Sequence, residues 1–213
     1  MRCSHEIGLV SSGRLIGMDA ADLTADALVV VDVQRGLVAG DHAVADADAY
    51  LERWAGALAS ARTAGVPVIH LQDDGAWPGS RIPHGSAEWE LVLPVGEGED
   101  VITKPRDDGF DGTRLDAVLG AAGVRRVCLV GIQSEMCVAA TARGALARGM
   151  TVVLPRDGHT TYDVPAAGPA PAVSAAHVSR VVEWSLGDEV VAPDRTADVR
   201  FGRSPDAPSH THG

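Results

Sequence analysis

The stretch Ala27-Leu28-Val29-Val30-Val31-Asp32-Val33 is an unbroken, largely β-branched apolar run that carries a single carboxylate. A strand with one wet face alternates apolar and polar residues. A run without alternation predicts a strand buried on both faces, as in a parallel sheet covered by helices. Outward from this run, residues 46–64 place Leu51, Trp54, Ala55, Leu58 and Ala61 on one helical face, and Gly65 follows as a stop signal. Short apolar runs at 66–71, 101–103, 127–132, 151–154 and 189–191 read as further strands. Helices are expected over 113–122, 137–148 and 172–186, the first of them capped by Thr113. Strands alternating with helices predict an α/β fold: a doubly wound six-stranded parallel sheet with helices on both faces, a Rossmann-like three-layer arrangement. Residues 26–193 are read as one domain, with an N-terminal arm over 1–25 and a polar C-terminal tail over 194–213.

A chain of 213 residues that is 46% hydrophobic suits one buried core. Its formal net charge of -11 argues against nucleic acid and anionic membrane surfaces as partners. Cys3, Cys128 and Cys137 are an odd, sparse set, which is no disulfide framework and fits a reducing compartment. No apolar run is long enough for a signal-peptide core or a membrane span, so a cytoplasmic location is expected. The connection over 72–100 is long and rich in Gly, Pro and Trp, and loops of that length in a compact domain are usually functional.

Open α/β sheets bind ligands outside the carboxyl ends of their strands. Three ionisable residues fall there: Asp32 near the end of the first strand, Lys104 directly after the third, and Cys137 after the fourth. Lys104 is also the only lysine among 18 basic residues. Cys137 follows the short turn 133–136 and is expected to open a helix. A thiol needs deprotonation to attack a carbonyl, and a helix N-terminus and a nearby ammonium both favour thiolate. A buried carboxylate can take the thiol proton and return it to a leaving amine. Backbone N–H groups of the turn can face a developing oxyanion. Most lone cysteines are small buried hydrophobes, which is how Cys128 reads inside its strand. Cys3 reads as an exposed thiol on the arm.

Three segments carry more than spacing: ALVVVDVQRGLV at 27–38, DVITKPRDDGFDGTRLDAVL at 100–119, and VCLVGIQSEMCVAATARGALARGMTVVLPRDGHTTYD at 127–163. In this order they resemble the isochorismatase-like cysteine hydrolases, over residues 26–193. The resemblance implies a general base at Asp32, a triad lysine at Lys104 and a nucleophile at Cys137. It also implies a cis peptide at Ile132-Gln133, which would turn the Gln133 N–H toward the oxyanion beside that of Cys137. Gln34, Trp89 and Phe110 are the expected substrate contacts, with Trp77 a further wall candidate; packing in the core is the equal alternative for each of the three aromatics.

Some members of that family bind a metal through an Asp-x-His pair and a further His. Here Asp73, His70 and His84 are present without that spacing, so no metal and no cofactor are expected. His210 and His212 lie in the tail and read as solvated. The implied substrate is a small-molecule amide or lactam, and the implied assembly a homodimer or homotetramer. Within the family, LVVVDVQRGLVAGDHAV, HLQDDG and GIQSEMCVAATARGAL are most similar to the lactam-opening streptothricin hydrolases. The alternatives are N-carbamoyl or nicotinamide-type amide hydrolysis on the same fold, and a non-catalytic or redox-sensing thiol protein.

Overall fold

The computed structural model describes residues 23–203. In chain order the elements are β1 (Thr24–Ala25), β2 (Ala27–Val31), α1 (Arg35–Val38), α2 (Ala47–Ala64), β3 (Val68–Asp73), β4 (Asp100–Lys104), α3 (Leu115–Ala121) and β5 (Arg126–Ile132). A π-helical turn (Ser134–Val138) then precedes α4 (Ala139–Ala147), β6 (Thr151–Val153), β7 (His159–Thr160), α5 (Ala175–Leu186), β8 (Val190–Val191) and β9 (Arg200–Phe201). Cys3, His210, His212 and the outer parts of the arm and tail lie outside the described residues.

The main sheet runs β4-β3-β2-β5-β6-β8, and every pairing in it is parallel. The doubly wound, helix-covered parallel sheet is therefore the architecture observed. The two-residue β7 extends it, pairing with Gly131 and Ile132 of β5 beyond the last rung of β6. The apolar run of β2 is continuous because both faces are covered. Ala27, Val29 and Val31 pack with Leu115, Leu119, Ala142 and Val182 of α3, α4 and α5. Leu28 and Val30 pack with Trp54, Leu58 and Ala61 of α2. Alternate side chains of one strand thus serve two cores.

Chain order reverses between β2 and β5. Strands β3 and β4 build outward on one side of β2, and β6 and β8 on the other side of β5. That reversal is the switch point at which open α/β sheets hold ligands. The two strands approach closely there. A Cβ on Gly131 would meet the Val31 carbonyl oxygen at 2.1 Å, and Gly131 has φ +129°. Only glycine fits both demands.

Local boundaries differ from the sequence reading for identifiable reasons. The first strand stops at Val31 because Asp32 adopts φ 51°, a left-handed conformation that Asp tolerates better than Val. Ala55 is exposed, and Ala57 takes the expected place on the buried face of α2 beside Trp54, Leu58 and Ala61. Cys137 does not open an α-helix; it sits inside the π-helical turn, and α4 begins two residues later. The last helix starts at Ala175, where the Ser174 hydroxyl accepts from the His177 N–H. Near the two ends of the described chain, β1 and β9 pair in parallel, Thr24 with Arg200 and Ala25 with Phe201. Among the described residues no helix is long and apolar enough to cross a membrane.

Candidate active site

Asp32, Asp73, Lys104 and Cys137 meet at the carboxyl ends of β2, β3, β4 and β5. Lys104 is the last residue of β4 and the register partner of Asp73 on β3. Its side chain is fully buried. Its ammonium donates to Asp32 Oδ2 at 2.8 Å, Cys137 Sγ at 3.1 Å, the Arg106 carbonyl at 3.2 Å and Asp73 Oδ2 at 3.3 Å. Removing an ammonium from water is costly, and these partners offset the loss. The other oxygen of Asp32, Oδ1, is buried with no hydrogen-bond partner among the described residues. One oxygen of each carboxylate and the Cys137 sulfur all lie within 4.8 Å of one another. Two carboxylates and a thiol at that spacing are a possible metal ligand set. The Lys104 ammonium already supplies a cation at that place. His70 and His84 are elsewhere: His70 Nε2 lies 3.1 Å from Glu99, and the His84 ring packs 4.5 Å from that of Trp89.

The charge states follow from these surroundings. Burial pushes the Asp32 carboxyl up to about 6, against the pull of the Lys104 ammonium and its contact with Cys137. Burial works against the Lys104 charge, but Asp32, Cys137 and Asp73 outweigh it, and its pKa is raised. Burial, reinforced by the Asp32 carboxylate, holds the Cys137 thiol well above its ordinary range despite Lys104. Near neutral pH the resting site therefore holds an ammonium, an ionised Asp32 and a protonated thiol.

The turn that carries Cys137 is anchored from behind. The Gln133 carbonyl accepts from the N–H groups of Met136 and Val138, both at 3.1 Å, which sets the π-helical winding. Such turns recur at functional sites. The Ile132-Gln133 peptide bond is cis. The buried Ser134 hydroxyl lies 2.8 Å from His159 Nδ1 and 2.9 Å from the Ser179 hydroxyl. Burial lowers the His159 pKa to about 4, so this ring is neutral near pH 7. Sequence reading missed this cluster because its members lie on three separate elements.

A cavity of about 320 Å³ opens onto Cys137. Asp32, Asp73, Ile132, Gln133 and Cys137 reach it from the sheet edge, and Leu37, Trp77, Ile82, Arg106, Asp107 and Met136 line its walls. Trp77 thus stands at the cavity. Gln34, Trp89 and Phe110 are not among its lining residues. Gln34 is fully buried; its amide donates to the carbonyls of Asp73 and Trp89 and accepts from the Asp73 N–H. The Trp89 indole donates to the Asp73 carbonyl at 2.7 Å. Both hold the backbone of Asp73. Phe110 is buried in the core, with the Arg148 guanidinium 4.2 Å from its ring. Asp73, weighed in the sequence only as a metal ligand and as part of the HLQDDG stretch, also ends a strand and joins this site. A larger groove, about 840 Å³, runs along Arg62, Val66, Gly96, Asp100 and Val118 and carries none of the four converging residues.

Residues 26–176 match the model of the Isochorismatase domain. The chain belongs to the isochorismatase family. It is 53% identical over 186 residues to a streptothricin hydrolase of Streptomyces noursei, spanning 86% of this chain and 67% of that protein. A second streptothricin hydrolase of the same organism is 50% identical over 189 residues, spanning 87% and 75%. Among solved structures, an isochorismatase from Pseudomonas putida KT2440 superposes with a TM-score of 0.74 at 25% identity, covering 84% of this chain and 91% of that one.

Proposed function

We propose that the chain is a cysteine hydrolase that cleaves a small-molecule amide or lactam, the streptothricin lactam being the substrate to test first. One observation carries this reading. The Cys137 sulfur lies 3.1 Å from an ammonium that is itself 2.8 Å from the Asp32 carboxylate, at the floor of an open cavity.

In this reading Asp32 takes the proton of Cys137 as the sulfur attacks the carbonyl carbon, so the thiol ionises only during attack. The S–C bond forms, and negative charge moves to the carbonyl oxygen. The N–H groups of Gln133 and Cys137 receive that oxyanion. The C–N bond then breaks, and the nitrogen leaves with the proton from Asp32. The product is a thioester. Asp32 next takes a proton from water, whose oxygen attacks the thioester carbon; the acid is released and the proton returns to sulfur. Lys104 stays protonated throughout and keeps carboxylate and sulfur together.

The similarity to two streptothricin hydrolases supports a lactam as the bond to test. The test is a mass spectrum of a streptothricin incubated with the pure protein. The expected result is a gain of one water, absent with Cys137→Ala. Hydrolysis at wild-type rate by Cys137→Ala would overturn the nucleophile assignment. An unchanged streptothricin alongside release of ammonia and carbon dioxide from an N-carbamoyl amide would move the same residues to a different substrate.

A further inference from the structure

Three carboxylates line the cavity: Asp32, Asp73 and Asp107. The first two share the Lys104 ammonium. Asp107 has no ion-pair partner among the described residues. Its Oδ1 accepts from the Cys137 thiol at 3.7 Å, a long contact even for sulfur. The one guanidinium at the cavity wall is committed elsewhere: Arg106 Nη1 pairs with Asp111 at 2.7 Å. The backbone that carries Asp107 is tied to α4. The Thr141 hydroxyl of α4 donates to the Asp107 carbonyl at 3.5 Å and accepts from the Gly109 N–H at 2.9 Å. A carboxylate with no cation paired to it among the described residues thus stands beside the sulfur, in the same cavity as a buried carboxylate oxygen with no hydrogen-bond partner there, Asp32 Oδ1.

We infer that Asp107 is a specificity residue for a cationic substrate: it holds an ammonium or guanidinium that lies one or two bonds from the carbonyl attacked by Cys137. The inference rests on the reading of Cys137 as nucleophile. The attacked carbon must come to the sulfur, so a cation close to that carbon falls within reach of Asp107. An anionic group in the same place would face the carboxylates of Asp32, Asp73 and Asp107. Asp32 and not Asp107 serves as the base, because Asp32 is buried and bound to Lys104, whereas Asp107 is exposed.

The test compares alkylation of Cys137 in the full chain by three reagents of different charge: 2-bromoethylamine (cationic), iodoacetamide (neutral) and iodoacetate (anionic). Each rate is normalised to that of a free thiol, and the adduct is located by peptide mass mapping. At low ionic strength the wild type should favour the cation over the anion by about tenfold, and Asp107→Asn should shrink that ratio by about fivefold. Asp107→Glu should keep it. Two results would overturn the inference. One is a ratio unchanged in Asp107→Asn; the other is an equal slowing of all three reagents, which would make Asp107 a partner of the thiol. Failure of the nucleophile assignment shows separately, as streptothricin hydrolysis that survives Cys137→Ala.

Discussion

Lys104 Nζ donates to Asp32 Oδ2 at 2.8 Å across the end of β3, the strand that separates their own strands β4 and β2. Two strand spacings are roughly 9–10 Å, so the contact needs a long side chain with a compact charged tip. Lysine has that shape. The planar fork of arginine needs more room than a fully buried site offers.

Lys104→Met should therefore cost both stability and turnover. It leaves Asp32 and Asp73 buried without their shared cation, a change worth about 3–5 kcal/mol. Turnover should fall at least about 100-fold. Lys104→Arg should rescue neither. Urea unfolding and steady-state kinetics on both variants check this, and an active Lys104→Arg enzyme would contradict it.

The raised pKa of Asp32 predicts an acid limb in the rate profile. In the proposed mechanism the carboxyl must be ionised to accept the thiol proton, and it is protonated below about 6. The value of kcat/KM should thus rise about tenfold per pH unit below that point and level off above it. Asp32→Asn should remove the limb together with the activity. A wild-type profile flat from pH 5 to 7 would exclude Asp32 as the base.

Because burial and Asp32 hold the Cys137 thiol up, the resting sulfur is protonated at neutral pH. The ultraviolet thiolate band of the native protein near pH 7 should not fall on Cys137→Ser substitution. A clear loss would mean a preformed thiolate–ammonium pair and a different order of proton transfer.

The close approach of β2 and β5 makes Gly131 intolerant of any side chain. A Cβ would meet the Val31 carbonyl oxygen at 2.1 Å, in a conformation that L-residues rarely adopt. Gly131→Ala should destabilise the fold by more than about 2 kcal/mol. Gly120, where a Cβ meets nothing within 4 Å, is the control. Gly120→Ala should be neutral or mildly stabilising in the same thermal melt.

Ser134→Ala removes the hydroxyl that links the Cys137 turn to His159 and Ser179. It leaves His159 Nδ1 buried without its partner, at a cost of about 1–3 kcal/mol. The turn should lose its fixed position, lowering kcat more than it raises KM. Ser134→Thr, which restores a hydroxyl, should recover part of the loss.

Much of this molecule was legible along the chain. The run at 27–33 announced a strand covered on both faces, because burial of alternate side chains in two cores leaves no polar period. Asp32, Lys104 and Cys137 stood out because each ends or follows an apolar run, and in a parallel sheet those ends share one edge. The limits are equally specific. Gln34 is expected from the sequence as a substrate contact, yet it holds the backbone of Asp73; Phe110, for which cavity wall and core were both open, fills the core. Cys137, expected to open an α-helix after a turn over 133–136, lies inside the π-helical turn Ser134–Val138, because that winding rests on the Gln133 carbonyl taking two N–H groups at once.

Periodicity and strand ends, which are properties of neighbouring residues, determined the sheet type, the edge that carries the chemistry and the three side chains expected there. The tertiary structure alone decided that Asp73 joins Asp32 on one ammonium, that Ser134, His159 and Ser179 brace the turn carrying Cys137, and that Asp107 stands beside that cysteine with no ion-pair partner among the described residues. The physical reason is distance along the chain. Strand order, the close approach at Gly131 and the pairing of buried charges are settled by packing between segments tens of residues apart, and no local pattern records which carboxylate will find a cation.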